Sequence, residues 1–285
     1  MKLGISSYSL YQAMEAGSMD ILDVIDWVKE IGAEHIEIVP LGFSLADNPQ
    51  LTDQIVERAA KAGIDISNYA IGANFITDSE EAYEAEIARV MKEVDVAHRL
   101  GVKLMRHDVA SRPDTSIKNF NSDLERIAAA CRKIADYAKG FGITTSVENH
   151  GYYVQASDRV QTLVQSVGRD NYKTTLDIGN FVCVDEDPIS AVKNNISIAS
   201  MVHVKDFYIR PADRNPGEGW FPSAAGRYLR GAIAGQGDLD IPALLGIVKS
   251  SGYDGYLSIE YEGMEDCKRG AKIAFDNVKR IWNEL

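Results

Sequence analysis

The stretch "TTLDIGNF" (174–181) decides the fold. It begins with β-branched and apolar residues, as a buried strand does, yet it stops on Asp177, with Gly179 and Asn180 close behind. Three other runs end in a comparable way: "TSVE" at Glu148, "SMVH" at His203 and "LSIE" at Glu260. The four residues are spaced by 29, 26 and 57 positions. The first two intervals fit one strand and one helix each. The third holds the same unit plus an insertion.

Working outward, eight strand-like runs alternate with helical periodicity. They are "KLGISS" (2–7), "EHIEIV" (34–39), "GIDISNYAI" (63–71), "VKLMRHDV" (102–109), "GITTSVEN" (142–149), "YKTTLDI" (172–178), "ASMVHVKD" (199–206) and "GYLSIEYE" (255–262). Ser18 is the expected cap of the first helix, and Gly32 its stop. Further helices are expected near 48–62, after a capping box of Asp78 and Glu81, through Leu124–Ala138, from Ser157 to Gly168, near 188–195, over 241–249, and from about Glu265 onward. Strands that alternate with helices pair in parallel, because a parallel partner needs a crossover. Eight such units predict a single α/β domain over 1–285, a (β/α)8 TIM barrel with a C-terminal helix. No GxGxxG follows the first strand, which sets aside the dinucleotide-binding open sheet.

One segment breaks the rhythm. Residues 207–238 form a long βα loop 7 that reads as irregular. It holds Phe207, Tyr208, Trp220, Phe221 and Tyr228 beside Arg210, Arg214, Arg227 and Arg230. Such a loop reads equally as a lid over a ligand or as a subunit contact. Its arginines point to a phosphate or carboxylate, and Trp220 is a candidate cover for a sugar face.

Composition narrows the function classes. The formal net charge of −12 repels phosphate backbones, so no nucleic-acid partner is expected. No run approaches the ~20 apolar residues of a membrane helix, and the N-terminal stretch is too polar for a signal peptide. Three scattered cysteines, Cys131, Cys183 and Cys267, form no disulfide framework and suit a reducing, cytoplasmic compartment.

In a (β/α)8 barrel all strand C-termini meet at one face, so Glu148, Asp177, His203 and Glu260 are expected to converge. Any one of them alone reads as a helix cap or a structural histidine. Together, three carboxylates and one imidazole form an oxygen-rich donor set for a divalent ion. Mn²⁺ leads, with Mg²⁺, Co²⁺ and Zn²⁺ as alternatives. Without a cation three converging carboxylates would repel one another. Neighbouring candidates are His150 and Lys205, each two residues beyond a ligand, and Arg106 and His107 at the end of the fourth strand. Asp206 is expected to orient a ligand or cap the loop, and Tyr8 and Glu37 are weaker candidates.

At "ENHG", "LDIGN", "HVKD" and "SIEYEG" the chain resembles the xylose isomerase-like TIM-barrel superfamily. That superfamily includes sugar-phosphate isomerases and epimerases, inositol-catabolism enzymes and 3-dehydroshikimate dehydratases. The resemblance implies that Glu148, Asp177, His203 and Glu260 bind one divalent metal ion. It implies that Glu148 and Glu260 also serve as acid and base. The expected activity is isomerisation or epimerisation of a sugar, sugar phosphate or inosose, through proton abstraction next to a carbonyl. A dehydratase is the alternative: Glu148 with His150, and His203 with Lys205, match the pairs of the 3-dehydroshikimate dehydratases. A barrel that binds sugar without turnover is a third reading. Asn180 stands where many ketose epimerases carry a histidine, at a position facing substrate. The resemblance also implies a homodimer or homotetramer.

Overall fold

The computed structural model describes residues 1–285. Each expected run forms a strand: β1 (Lys2–Ser6), β2 (His35–Ile38), β3 (Asp65–Ile71), β4 (Leu104–His107), β5 (Thr144–Glu148), β6 (Tyr172–Asp177) and β7 (Ala199–Val204). Three short strands follow, β8 (Asp206–Arg210), β9 (Phe221–Pro222) and β10 (Tyr228–Ala232), before the last barrel strand, β11 (Tyr256–Ile259). The barrel closes in the order β1-β11-β7-β6-β5-β4-β3-β2, and every pair is parallel. This is the expected (β/α)8 TIM barrel.

The helices are α1 (Tyr11–Glu15), α2 (Ile21–Glu30), α3 (Pro49–Ala62), α4 (Glu80–Arg99), α5 (Ile117–Lys139), α6 (Ser157–Val167), α7 (Pro188–Asn195), α8 (Ile241–Ser250) and α9 (Cys267–Glu284). Their apolar stripes and the outward faces of the strands build one core of 67 buried residues. On α5, for example, Ile127, Cys131, Ile134 and Ala138 are all buried at helical spacing. No helix is long and apolar enough to cross a membrane.

Three local expectations need correction. Ser18 does not cap α2: its hydroxyl donates to Ala13, while Asp20 and Asp23 form the capping box. α4 is capped by Ser79, which accepts from the Ala82 N–H, and not by Asp78 with Glu81. Both shifts follow from which residue is extended just before the helix, something sequence places only within a residue or two. The 207–238 segment is not irregular. β8, β10 and β9 form an antiparallel sheet beside the barrel mouth, packed around Val182, Cys183, Phe207 and Leu229. The Asp206 carboxylate ties its ends together, accepting from the N–H groups of Phe207, Gly235, Gly237 and Leu239.

The barrel interior is polar. Ser146 and Thr175 share a hydrogen bond across β5 and β6. His35 reaches over β1 to bond the Leu257 carbonyl with its Nε2, at 2.9 Å. Gly4 makes room, since a Cβ there would lie 2.2 Å from the His35 carbonyl oxygen. The polar column continues upward to the strand ends, where the candidate site lies.

Candidate metal centre and cavity

Glu148 closes β5, Asp177 closes β6, His203 lies one residue before the end of β7 and Glu260 follows β11. One ligand atom from each lies within 4.8 Å of the others, and all four residues are buried. The fold therefore brings together the four side chains singled out from strand-end spacing.

Asp177 has two tasks. Its Oδ1 accepts from the N–H groups of Gly179 and Asn180, at 2.7 and 2.9 Å, and so caps the turn. Its Oδ2 is buried and has no hydrogen-bond partner. The capping reading and the ligand reading of this residue thus fall on different oxygens. Asn149 fixes the place, accepting from the Asp177 N–H and donating to its carbonyl, both at 2.8 Å. Nothing in the spacing of "ENHG" distinguished Asn149.

His203 is also divided. Nε2 donates to Glu37, 3.0 Å away and fully buried on β2. Nδ1 has no hydrogen-bond partner and faces Glu148 Oε1 at 3.5 Å and Glu260 Oε1 at 3.8 Å. Buried polar atoms are rarely left unpaired. Here two unpaired atoms, Asp177 Oδ2 and His203 Nδ1, belong to the same cluster. A divalent cation would satisfy both, so the residues present fit such an ion.

Electrostatics agree. Burial pushes the Asp177 carboxyl up to about 7, with Lys205 pulling against it and Glu148 and Glu260 adding to the rise. Burial opposes a charge on His203, but Glu37, Glu260 and Glu148 outweigh it and hold the imidazole well above its ordinary range. Without a dication the cluster keeps protons on the two groups whose free atoms an ion would occupy. Burial also raises Glu148, but Arg106 and then His203 overcome this and hold it well below the usual carboxylate range. Arg106 donates to Glu148 Oε2 from Nε at 2.7 Å, with Nη2 at 2.6 Å.

A cavity of about 400 Å³ opens over the cluster. Arg106, Asp108, Glu148, His150, Lys205 and Glu260 line it. The Lys205 ammonium lies 2.7 Å from Glu260 and 3.3 Å from Glu262. Burial opposes its charge, but Glu260, Glu262 and Asp177 hold it protonated well above its ordinary range. His150 stands at the rim of the cavity, 3.8 Å from Asp108.

Among the substrate-facing candidates, Arg106 lines the cavity but is occupied by Glu148 and Asp108. Asn180 is buried and donates to Glu148 Oε1 at 3.2 Å. His107 is a correction. Strand alternation turns it away from Arg106, into the layer between barrel and helices, where it is fully buried beside Phe75 and Tyr172. Trp220 is another: it is not in the wall of either mouth cavity, and Arg210 and Arg230 stack on its ring. Arg230 lines a second cavity, beside the first. Asp108 and Glu262 escaped the sequence reading, although each lies two residues beyond a named candidate on a strand end, the same spacing that singled out His150 and Lys205.

Known proteins resemble this chain in sequence or in fold. An inosose dehydratase of Lacticaseibacillus casei is 25% identical over 191 residues, covering 63% of this chain and 64% of that protein, less than two thirds of its length. A probable 3-DHS dehydratase of Bacillus anthracis superposes with a TM-score of 0.76 at 16% identity, covering 98% of this chain and 99% of that one. A D-psicose 3-epimerase of Clostridium cellulolyticum H10 gives 0.76 at 17% identity and covers 99% of each chain. At such identities the two structures speak for the fold alone. The family described as a xylose isomerase-like TIM barrel matches residues 25–281, and the chain belongs to that family.

Proposed function

We propose that this protein is a divalent-metal-dependent enzyme that removes a proton next to a carbonyl of a polyhydroxylated small molecule, with loss of water as the outcome. The observation that carries the reading is the convergence of Glu148, Asp177, His203 and Glu260, with two unpaired ligand atoms, beneath a cavity walled by Lys205 and His150. A bound dication, Mn²⁺, Mg²⁺ or Co²⁺ by donor type, supplies the Lewis acidity that stabilises negative charge on the carbonyl oxygen.

The chain's own residues divide the remaining work. Glu148 is engaged by Arg106 and Asn180 and is a weak base. Glu260 lines the cavity beside Lys205, free of the arginine that holds Glu148, and is assigned as the proton acceptor. Lys205 stays charged and orients a substrate oxygen. His150 is raised above its ordinary value: burial opposes this, and Asp108 and Glu148 outweigh it. It is a suitable acid for a departing hydroxyl. The proton leaves carbon for Glu260, the carbon–oxygen bond one carbon away breaks, and the hydroxyl takes a proton from His150, giving an enone and water.

Dehydration is favoured by the Lys205 and His150 pair and by the inosose dehydratase relative. Epimerisation is the second reading, favoured by two glutamates that converge on one centre. Incubation of the Mn²⁺-loaded protein with inososes, 3-dehydroshikimate, ketoses and ketose phosphates in D₂O separates them. Dehydration produces new ultraviolet absorbance, from an enone or its diketone tautomer with an inosose or ketose and from an aromatic acid with 3-dehydroshikimate, that Glu260→Gln abolishes. Epimerisation produces deuterium on carbon without that absorbance. Neither signal with any of these substrates would overturn the assignment.

A further inference from the structure

The four arginines of the 207–238 excursion differ in their partners. Arg210 donates to Asp238 at 3.0 Å, Arg227 donates to Asp185 at 2.6 Å, and Arg214 is exposed. Arg230 has no acceptor within hydrogen-bond distance other than a methionine sulfur at 3.9 Å, and its nearest carboxylate, Glu265, is also 3.9 Å away. Its Nε is buried and unpaired. The other strong cations of the mouth are neutralised: Arg89 by Glu86, Arg106 by Glu148 and Lys205 by Glu260.

Its position is nonetheless fixed. The guanidinium lies 4.8 Å from the Tyr208 ring centroid and 5.4 Å from that of Trp220. Gly231 bridges to Gly263, and a Cβ on Gly231 would sit 2.5 Å from the Glu262 carbonyl oxygen. β10 is thereby pressed against the segment that follows Glu260. Arg230 lines a cavity of about 430 Å³ that shares Tyr8, His150, Lys205 and Glu262 with the cavity over the metal cluster. Aromatic flanks orient a guanidinium without using up its N–H donors, which remain free for a planar, bidentate partner.

We propose that Arg230 anchors an anionic group, a carboxylate or a phosphate, at the end of the substrate remote from the reacting carbonyl. The inference rests on the cluster being the reaction centre, and it narrows the substrate class to sugar-like acids or sugar phosphates.

Calorimetric titration of the Mn²⁺-loaded protein with D-fructose, D-fructose 6-phosphate and 5-keto-D-gluconate tests it. One anion is expected to bind wild type at least ~10-fold more tightly than D-fructose. Arg230→Gln brings that anion to the D-fructose level, and Arg230→Lys falls between. Preference for the phosphate or for the keto acid identifies the group. The inference is overturned if neither anion is preferred, or if Arg230→Gln keeps the preference. Mn²⁺ uptake, measured alone, separates the two failures. Normal uptake without anion preference sinks only the anchor, whereas absent uptake by wild type sinks the reaction centre beneath it.

Discussion

Glu37 and His203 meet across the barrel interior, with both carboxylate oxygens 3.0 Å from Nε2. Asn68 Nδ2 holds the same carboxylate at 2.7 Å, so the acceptor is itself immobilised. This pins the ring and leaves Nδ1 toward Glu148, Asp177 and Glu260. A carboxylate behind a ligating histidine sets the tautomer and raises ligand basicity, and its loss typically costs 10–100-fold in metal affinity. Glu37→Gln is expected to weaken Mn²⁺ binding about tenfold, and Glu37→Leu by up to about a hundredfold, in direct titrations. Unchanged affinity in both variants would mean that packing alone orients His203.

Ion uptake should expel protons. Asp177 is pushed up to about 7 by burial, and His203 is held protonated above its ordinary range. Both must lose that proton to ligate. Calorimetry in buffers of different ionisation enthalpy should give more than one proton released per Mn²⁺ at pH 6, and fewer at pH 8. Asp177→Asn should lower the count at pH 6 in whatever affinity remains. A release that does not vary with pH would contradict the electrostatic account.

The excursion depends on Asp206. Four backbone N–H groups converge on its carboxylate. Replacing it with alanine strands those donors, at about 1–3 kcal/mol for each that stays buried and unpaired. Asp206→Ala is expected to open the 207–238 sheet to limited proteolysis while the barrel resists, with Asp206→Asn intermediate. Digestion that begins in the barrel helices would point to a different weak place.

The extent of what sequence discloses follows from physics. The ligands were legible because each sits at or beside a strand end, and barrel closure brings strand ends together whatever the loops do. Glu37 was nearly invisible. In "HIEI" it looks like the solvent-facing residue of an alternating strand, and only the closed barrel reveals that its face is the interior. Arg106 and His107 could not be sorted for a related reason. Alternation says that they oppose each other, but which one faces inward depends on the register against β3 and β5. The excursion read as irregular because its strands are short and interrupted by Gly and Pro. Its order comes from Asp206 and from Phe207 packing on Phe221, contacts between distant residues. Asp177 was legible as a cap and as a ligand, and only its two oxygens, seen separately, reconcile the readings.

Acid sensitivity should arise in part from two histidines away from the metal cluster's free atoms. Burial lowers His35 and His107 to about 4, with hydrogen bonds to Leu257 and Asp108 carbonyls only partly opposing it. Both are neutral in the fold, while an unfolded chain protonates them near the ordinary value of about 6.5. The unfolded state therefore binds more protons between these limits. The stabilisation is complete above pH 6.5 and is lost as pH falls toward 4. Each residue contributes a loss of about 2 kcal/mol between pH 7.5 and 5, from about 1.4 kcal/mol per pH unit below 6.5. His107→Phe keeps an aromatic ring beside Phe75 and Tyr172 and removes one of the two titrations. Its stability, measured by denaturant unfolding at both pH values, should fall by about 2 kcal/mol less than that of wild type over the same interval. An equal fall in both proteins would show that His107 does not take up a proton on unfolding.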